Sequence, residues 1–193
     1  MIFEQFISHL ETRCEQVGLF ENAIRERVKE IEVNKGQVLL FPGEVCKYAY
    51  FIHSGFFRLY QNMQEQEVTV DFAGEMKFIT SLASFFNQRK SNEGLICETK
   101  AIVLRISYHD WLSLEDVSDV FLILGKNILQ EYLILSNQDN NVFRISNATQ
   151  KYLYLCKRYP QLTNSTSQKH IASYLGITEQ RMSLIRKCLL REG

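Results

Sequence analysis

The spacing of apolar residues changes character twice along the chain. From Met1 to Val28, Phe3, Phe6, Ile7 and Leu10, then Val17, Leu19 and Phe20, then Ile24 and Val28 recur at helical intervals, which predicts one or two short helices. From Ile31 to Ser107 the pattern breaks into strand-like runs between turn residues. These are Val38–Phe41 before Pro42 and Gly43, Tyr48–His53 before Ser54 and Gly55, Phe56–Tyr60, Glu67–Phe72 before Ala73 and Gly74, Gly94–Glu98 and Ala101–Ser107. Short, evenly spaced strands of this kind predict an antiparallel barrel or sandwich.

After Asp110 the pattern turns helical and stays so to about Val142. On a helical wheel Phe121, Leu124, Ile128, Tyr132 and Leu135 form one apolar stripe, and Leu122, Leu129 and Leu133 form a second, about 120° away. A helix lying on a barrel needs one apolar face. The second predicts a further partner, most simply the same helix of a second chain, with Phe121, Leu124, Ile128, Tyr132 and Leu135 as the expected homodimer contacts. The alternative is that both faces are covered within one monomer. The polar run Ser136–Asn141 reads as a fraying helix end or a hinge, and Asn147 as the N-cap of a helix from Ala148 to about Arg158, stopped at Tyr159 and Pro160. Gln161–Ser167, rich in Ser, Thr and Asn, reads as a loop.

The segment Gln168–Lys187, QKHIASYLGITEQRMSLIRK, fits two short helices crossing at a tight turn. Ile171, Leu175, Ile177, Met182 and Ile185 fall where the crossing buries them, and Ala172 where the helices approach too closely for a larger side chain. Gly176 supplies the left-handed residue of the turn, and Thr178 caps the second helix. A helix-turn-helix of this kind reads double-stranded DNA with the face opposite Met182, Ile185 and Leu189. That face carries Gln180, Ser183, Leu184 and Lys187, with Glu179 and Arg181 at its flanks. Glu179, Gln180, Ser183 and Leu184 are the expected base-reading residues: Gln180 suits the N6 and N7 edge of adenine, and Leu184 a thymine methyl. Gln168, Lys169, Thr178, Arg181, Arg186 and Lys187 are the expected phosphate contacts.

Charge sharpens this picture. The 193 residues carry 22 basic and 22 acidic side chains, a formal balance that at first argues against nucleic acid. The balance conceals a split: from Arg144 onward nine Lys and Arg face only Glu179 and Glu192, whereas the preceding residues are acidic in excess. A basic tail on an acidic front is the distribution expected when one part alone faces phosphate. The five cysteines lie more than thirty residues apart, which excludes a zinc knuckle or a redox dithiol by spacing. No run is long enough to span a membrane, and the N-terminus lacks a basic region followed by an apolar core, so a cytoplasmic protein with no membrane contact is expected.

The order of parts resembles the Crp/Fnr superfamily, that of the cyclic-AMP receptor protein and the fumarate-nitrate regulator. The resemblance is carried by FPGEVCKYAYFIHSGFFRLY (Phe41–Tyr60), similar to the family's first barrel hairpins, and by IASYLGITEQRMSLIRK (Ile171–Lys187), similar to its DNA-reading motif. It implies an α+β fold: an antiparallel, cyclic-nucleotide-binding-like jelly-roll barrel, a long dimerisation helix and a C-terminal helix-turn-helix. The corresponding domains are residues 1–115, 116–143 and 144–193. It also implies a homodimeric, non-enzymatic transcription regulator that contacts RNA polymerase. With Gly193 barely a turn past the motif, the family's β-hairpin wing is expected to be absent.

The departures are specific. Where cyclic-nucleotide binders have Gly-Glu-Leu and an Arg followed by a small residue, this chain has Phe78–Leu82 and Ser91-Asn92-Glu93, so the resemblance carries no expectation of cyclic-AMP dependence. Arg89 and Lys90 lie close in sequence and read as a solvated loop. Cys14 stands alone, without the N-terminal cysteine cluster of the iron–sulfur branch, and no cofactor is expected. The family's Arg-Glu-x-x-x-Arg becomes Glu179-Gln180-x-x-x-Leu184, so its usual half-site does not carry over. Two other readings remain open. One is a ligand-sensing barrel whose helical tail docks on a protein. The other is a cupin-like metal enzyme, against which His9, His53, His109 and His170 are scattered, with no His-x-His.

Overall fold

The computed structural model describes residues 2–64 and 66–192. The chain opens with α1 (Ile2–Glu11), a 3-10 turn (Glu15–Phe20) and α2 (Glu21–Arg27). Eight strands follow: β1 (Lys29–Val33), β2 (Val38–Leu40), β3 (Tyr48–Ser54), β4 (Phe57–Met63), β5 (Gln66–Ala73), β6 (Phe78–Ile79), β7 (Glu93–Cys97) and β8 (Ala101–Ser107), with α3 (Leu82–Asn87) between β6 and β7. They form two four-stranded sheets with antiparallel pairing, ordered β1-β8-β3-β6 and β2-β7-β4-β5, the double-sheet form of a jelly roll. Inward-facing Ile52, Phe57, Leu95 and Val103 are fully buried between them. At the hairpin corner Gly55 has φ +108, and a Cβ there would run into Ala101, so both conformation and space demand glycine.

The helical stretch after Asp110 is two helices, α4 (Tyr108–Glu115) and α5 (Val120–Ile145). The Ser107 hydroxyl caps α4 by accepting from the Asp110 N–H at 3.0 Å, and Asp116–Ser118 breaks the pattern before α5. α5 is 26 residues long, about 39 Å at 1.5 Å per residue. It runs without interruption through Ser136–Asn141, so the expected helix end or hinge is not there. The far half of α5 is instead anchored. Asp139 accepts a hydrogen bond from the Tyr154 hydroxyl at 2.7 Å and pairs with Arg158 at 2.9 Å, and Phe143 packs edge-on against Tyr174.

α6 (Ala148–Arg158) begins with a capping box in which Asn147 accepts from the Gln150 N–H and Gln150 from the Asn147 N–H, each at 3.0 Å. The expected loop after Pro160 contains a single turn, α7 (Leu162–Ser165), whose Leu162 is fully buried. Then come α8 (Gln168–Leu175) and α9 (Glu179–Glu192).

Two further cores lie outside the barrel. One joins α1, α2, α4 and the start of α5 to the outer side of β3 and β8, through Phe6, Ile24, Phe51, Leu104, Phe121 and Leu124. It corrects the expected dimer stripe: Phe121 and Leu124 are 0% and 1% exposed, covered by their own chain, so they have no surface to offer a partner. The apolar residues α5 leaves in solvent are mainly those of the second stripe and its neighbours, notably Leu122, Ile123, Leu133 and Ile134. Tyr132 is also exposed, while Ile128 and Leu135 are half-buried. The third core holds Phe56 and Phe72 of the barrel together with Tyr152, Leu155, Tyr159, Ile171 and Met182 of the tail.

Candidate nucleic-acid interface and the junction beside it

Local sequence chemistry builds the reading element. Ser167 caps α8 by accepting from the His170 N–H. The helix ends at Gly176, φ +66, whose neighbour Ile177 donates its N–H back to the Ala172 carbonyl at 3.0 Å. Thr178 caps α9, its hydroxyl accepting from the Arg181 N–H at 3.2 Å. Ile171, Ala172 and Leu175 of α8 are buried against Met182 and Ile185 of α9, the crossing expected from the sequence.

The residues singled out for DNA lie largely on the open side. Glu179, Gln180, Arg181, Leu184 and Lys187 are exposed and Ser183 is half-buried. Gln168 joins the two helices, donating from its side-chain amide to the Glu179 carbonyl at 3.2 Å, and with Glu179, Gln180 and Ser183 it lines one shallow polar notch. Lys169 and Thr178 are exposed, whereas Arg186 is half-buried, within electrostatic reach of Tyr152 and Cys156 on α6.

The tail is fastened to the barrel by a polar node that the sequence reading missed. Arg58 of β4, 2% exposed, donates to Glu98 at 2.6 Å and to Glu67 of β5 at 3.0 Å. Glu98 also accepts from the Thr166 hydroxyl at 3.0 Å and faces His170 Nδ1 of α8 at 3.3 Å. Burial alone would raise the Glu98 pKa, but the hydrogen bonds from His170 and Arg58 outweigh it and hold the carboxyl down at about 2. Nearby, the Thr69 N–H donates to the Ser173 hydroxyl at 3.0 Å, and the Tyr159 hydroxyl to the Phe72 carbonyl at 2.7 Å. The one sequence signal was a charged residue, Arg58, between the apolar Phe57 and Leu59, on the side of β4 opposite the barrel interior.

Between the Phe78–Leu82 stretch and Ser91-Asn92-Glu93, Ser81 and Ser91 bond to each other at 2.9 Å, and Ser81 donates to Glu93 at 2.5 Å. The two serines are buried, while Arg89 and Lys90 are exposed, so the polar groups lining this corner are hydroxyls and a carboxylate. Below it a cleft of about 790 Å³ opens between β5, β6, α5 and the Arg158–Gln161 segment.

Residues 30–116 match the family model described as a cyclic nucleotide-binding domain. The α+β fold is shared with solved structures of low sequence identity. One is the c-di-GMP responsive global regulator CLP of Xanthomonas campestris, at TM-score 0.68 and 13% identity, covering 91% of this chain and 93% of that one. A second is the Thermus thermophilus catabolite activator protein, at TM-score 0.53 and 17% identity over 93% of this chain and 84% of that one. A third is DNR of Pseudomonas aeruginosa, at TM-score 0.54 and 18% identity over 96% and 85%. No curated protein matches the sequence.

Proposed function

We propose that this protein is a sequence-specific, double-stranded-DNA-binding transcription regulator of the Crp/Fnr type, a cytoplasmic homodimer that works without cyclic AMP and performs no catalysis. The observation that carries the reading is the exposed polar face of α9, held by the Gly176 turn on a helix pair that is packed onto a cyclic nucleotide-binding domain. Glu179, Gln180, Ser183 and Leu184 would meet base edges. Gln168, Lys169, Thr178, Arg181, Arg186 and Lys187 would meet phosphates, with RNA polymerase contacting the bound dimer. Independence from cyclic AMP is supported by the Ser81–Ser91–Glu93 corner, where the two hydroxyls bond to each other and Glu93 would repel a phosphate. The functional division is a sensor in residues 1–115, a dimer helix in 116–143 and a reader in 144–193. Selection of bound duplexes from random DNA tests the reading.

The dimer seam belongs on the open stripe of α5, because contiguous exposed leucines and isoleucines are a patch that soluble monomers rarely keep. Leu133 is 65% exposed and contributes little to the monomer core, so Leu133→Asp should leave folding unchanged while converting the dimer to a monomer. Light scattering at micromolar concentration checks this. A wild-type monomer, or a Leu133→Asp dimer as tight as the parent, contradicts the seam.

A further inference from the structure

The 790 Å³ cleft is within the ordinary size range for small-molecule sites, and its charge is unbalanced. Its three basic lining residues are already engaged. Arg13 and Lys77 both pair with Glu131, at 2.7 and 3.7 Å, and Arg158 pairs with Asp139 at 2.9 Å. Three other lining carboxylates, Asp71, Glu75 and Glu93, have no cation paired with them among the described residues; Glu75 is exposed, whereas Asp71 and Glu93 are half-buried. Asp71 accepts one hydrogen bond, from the neighbouring Phe72 N–H at 2.8 Å.

Strand geometry aims Asp71 at this space. The β4–β5 ladder pairs Leu59 with Asp71 and Tyr60 with Thr69, leaving Val70 as the extra residue of a bulge. Bulges of this kind re-aim the side chains that follow. Asp71 thereby enters a ring of aromatic walls, Phe72, Tyr132, Phe143, Tyr159 and Tyr174, at the meeting point of barrel, long helix and reader. Its surroundings disfavour its charge: burial first of all raises its pKa to about 6, against lowering by the Phe72 N–H and Arg158, with Asp139 and Glu93 adding repulsion. The phenols of Tyr132, Tyr159 and Tyr174 are raised by burial and next by the charge of Asp71 itself, which places all three around one carboxylate.

We propose that this junction binds a small organic cation, an amine, guanidinium or quaternary ammonium head on an apolar body, with Asp71 and Glu93 as counter-charges and the aromatic rings as walls. A cation is the ligand that relieves the two half-buried uncompensated carboxylates, and it gains further from the faces of the rings. An anion, including a cyclic nucleotide, meets the wrong field. A ligand held here touches β5, α5, Arg158 of α6 and Tyr174 of α8 together, so it would set how the reader sits on the barrel. That consequence, though not the binding itself, rests on the regulator reading above.

The test is calorimetry on the full chain with phenethylamine, agmatine and tetramethylammonium, and with hydrocinnamate and cyclic AMP as anionic counterparts. At least one cation should bind with a dissociation constant below about 1 mM, and the anions should not. Asp71→Asn keeps the acceptor for the Phe72 N–H and should weaken that cation about tenfold or more. Glu93→Gln should weaken it in the same direction, with both variants as stable to urea as the parent. Affinity should also fall as pH drops through about 6, where Asp71 takes a proton. Absence of binding by all three cations, equal binding of an anion, or affinity indifferent to both substitutions overturns the proposal. Mobility shifts on ligand-free protein report separately on the regulator reading.

Discussion

Arg58→Met should destabilise the folded chain by about 3–5 kcal/mol, because removing one partner from a buried ion pair leaves the other uncompensated. Glu98 is the group left behind. It is 9% exposed and would keep only Thr166 and His170. Methionine fills much of the volume, so the loss measures charge and not a void. Urea denaturation monitored by circular dichroism gives the number, and a change below about 1 kcal/mol would show that the node contributes little net stability. The pH dependence has a definite sign. The Glu98 carboxyl titrates at about 2 in the fold against its ordinary 4.5, so its contribution is present above pH 4.5 and is lost as pH falls toward 2. Arg58→Met should shrink that acid-side loss without abolishing it, because the His170 contact, the first of the lowering influences, remains.

Phe72→Ala should cost a similar amount, about 3–5 kcal/mol, as expected for deleting a buried phenyl ring. The ring is 2% exposed and lies 5.5 Å from Phe56, 6.3 Å from Tyr159 and 5.2 Å from Tyr174, centroid to centroid, so it belongs to barrel and tail at once. The expected signature is therefore more than lowered stability. Parent protein should unfold in one transition, whereas Phe72→Ala should separate the tail from the barrel into two and expose the chain near Ile145, already 85% exposed, to protease. A single transition at lower urea, with no new cleavage, would show that Leu155, Leu162 and the polar node hold the tail without the ring.

The parts of the fold that were legible in the sequence are those governed by neighbours in the chain. The six strand runs, the Asn147 cap and the Gly176 turn need only local periodicity, one side-chain acceptor or one left-handed residue, and each stands where the pattern put it. Two strands escaped. β1 mixes Lys, Glu and Ile because one of its sides is solvated, and β6 is two residues long, so neither makes a pattern. The polar run in α5 misled for the opposite reason. Its helicity is maintained by Tyr154, Arg158 and Tyr174, all distant in sequence. The same limit hid which α5 stripe was free, since Phe121 packs on Phe20 of the 3-10 turn, a hundred residues away in the chain.

Site residues divide in the same way. The α9 face could be read off a wheel, because a helix fixes which residues share a side. The Arg58–Glu98–His170 node and the Asp71 cleft could not, because each joins residues from three or more elements across the barrel-tail boundary. What the sequence did carry was a flag: Arg58 and Asp71 are charged residues inside strands whose neighbours are apolar.

The central claim is that α9 reads base sequence in duplex DNA, and selection of bound duplexes from random DNA by the full chain tests it most directly, with Gln180→Ala run in parallel. The account predicts a two-fold symmetric consensus with half-sites about 34–36 Å apart, one helical turn. Gln180→Ala should relax preference at one base position per half-site by about 1–3 kcal/mol while the salt dependence stays as it was. If the parent enriches no sequence, or if Gln180→Ala returns an unchanged consensus, α9 is not the base-reading element and the proposed function is wrong.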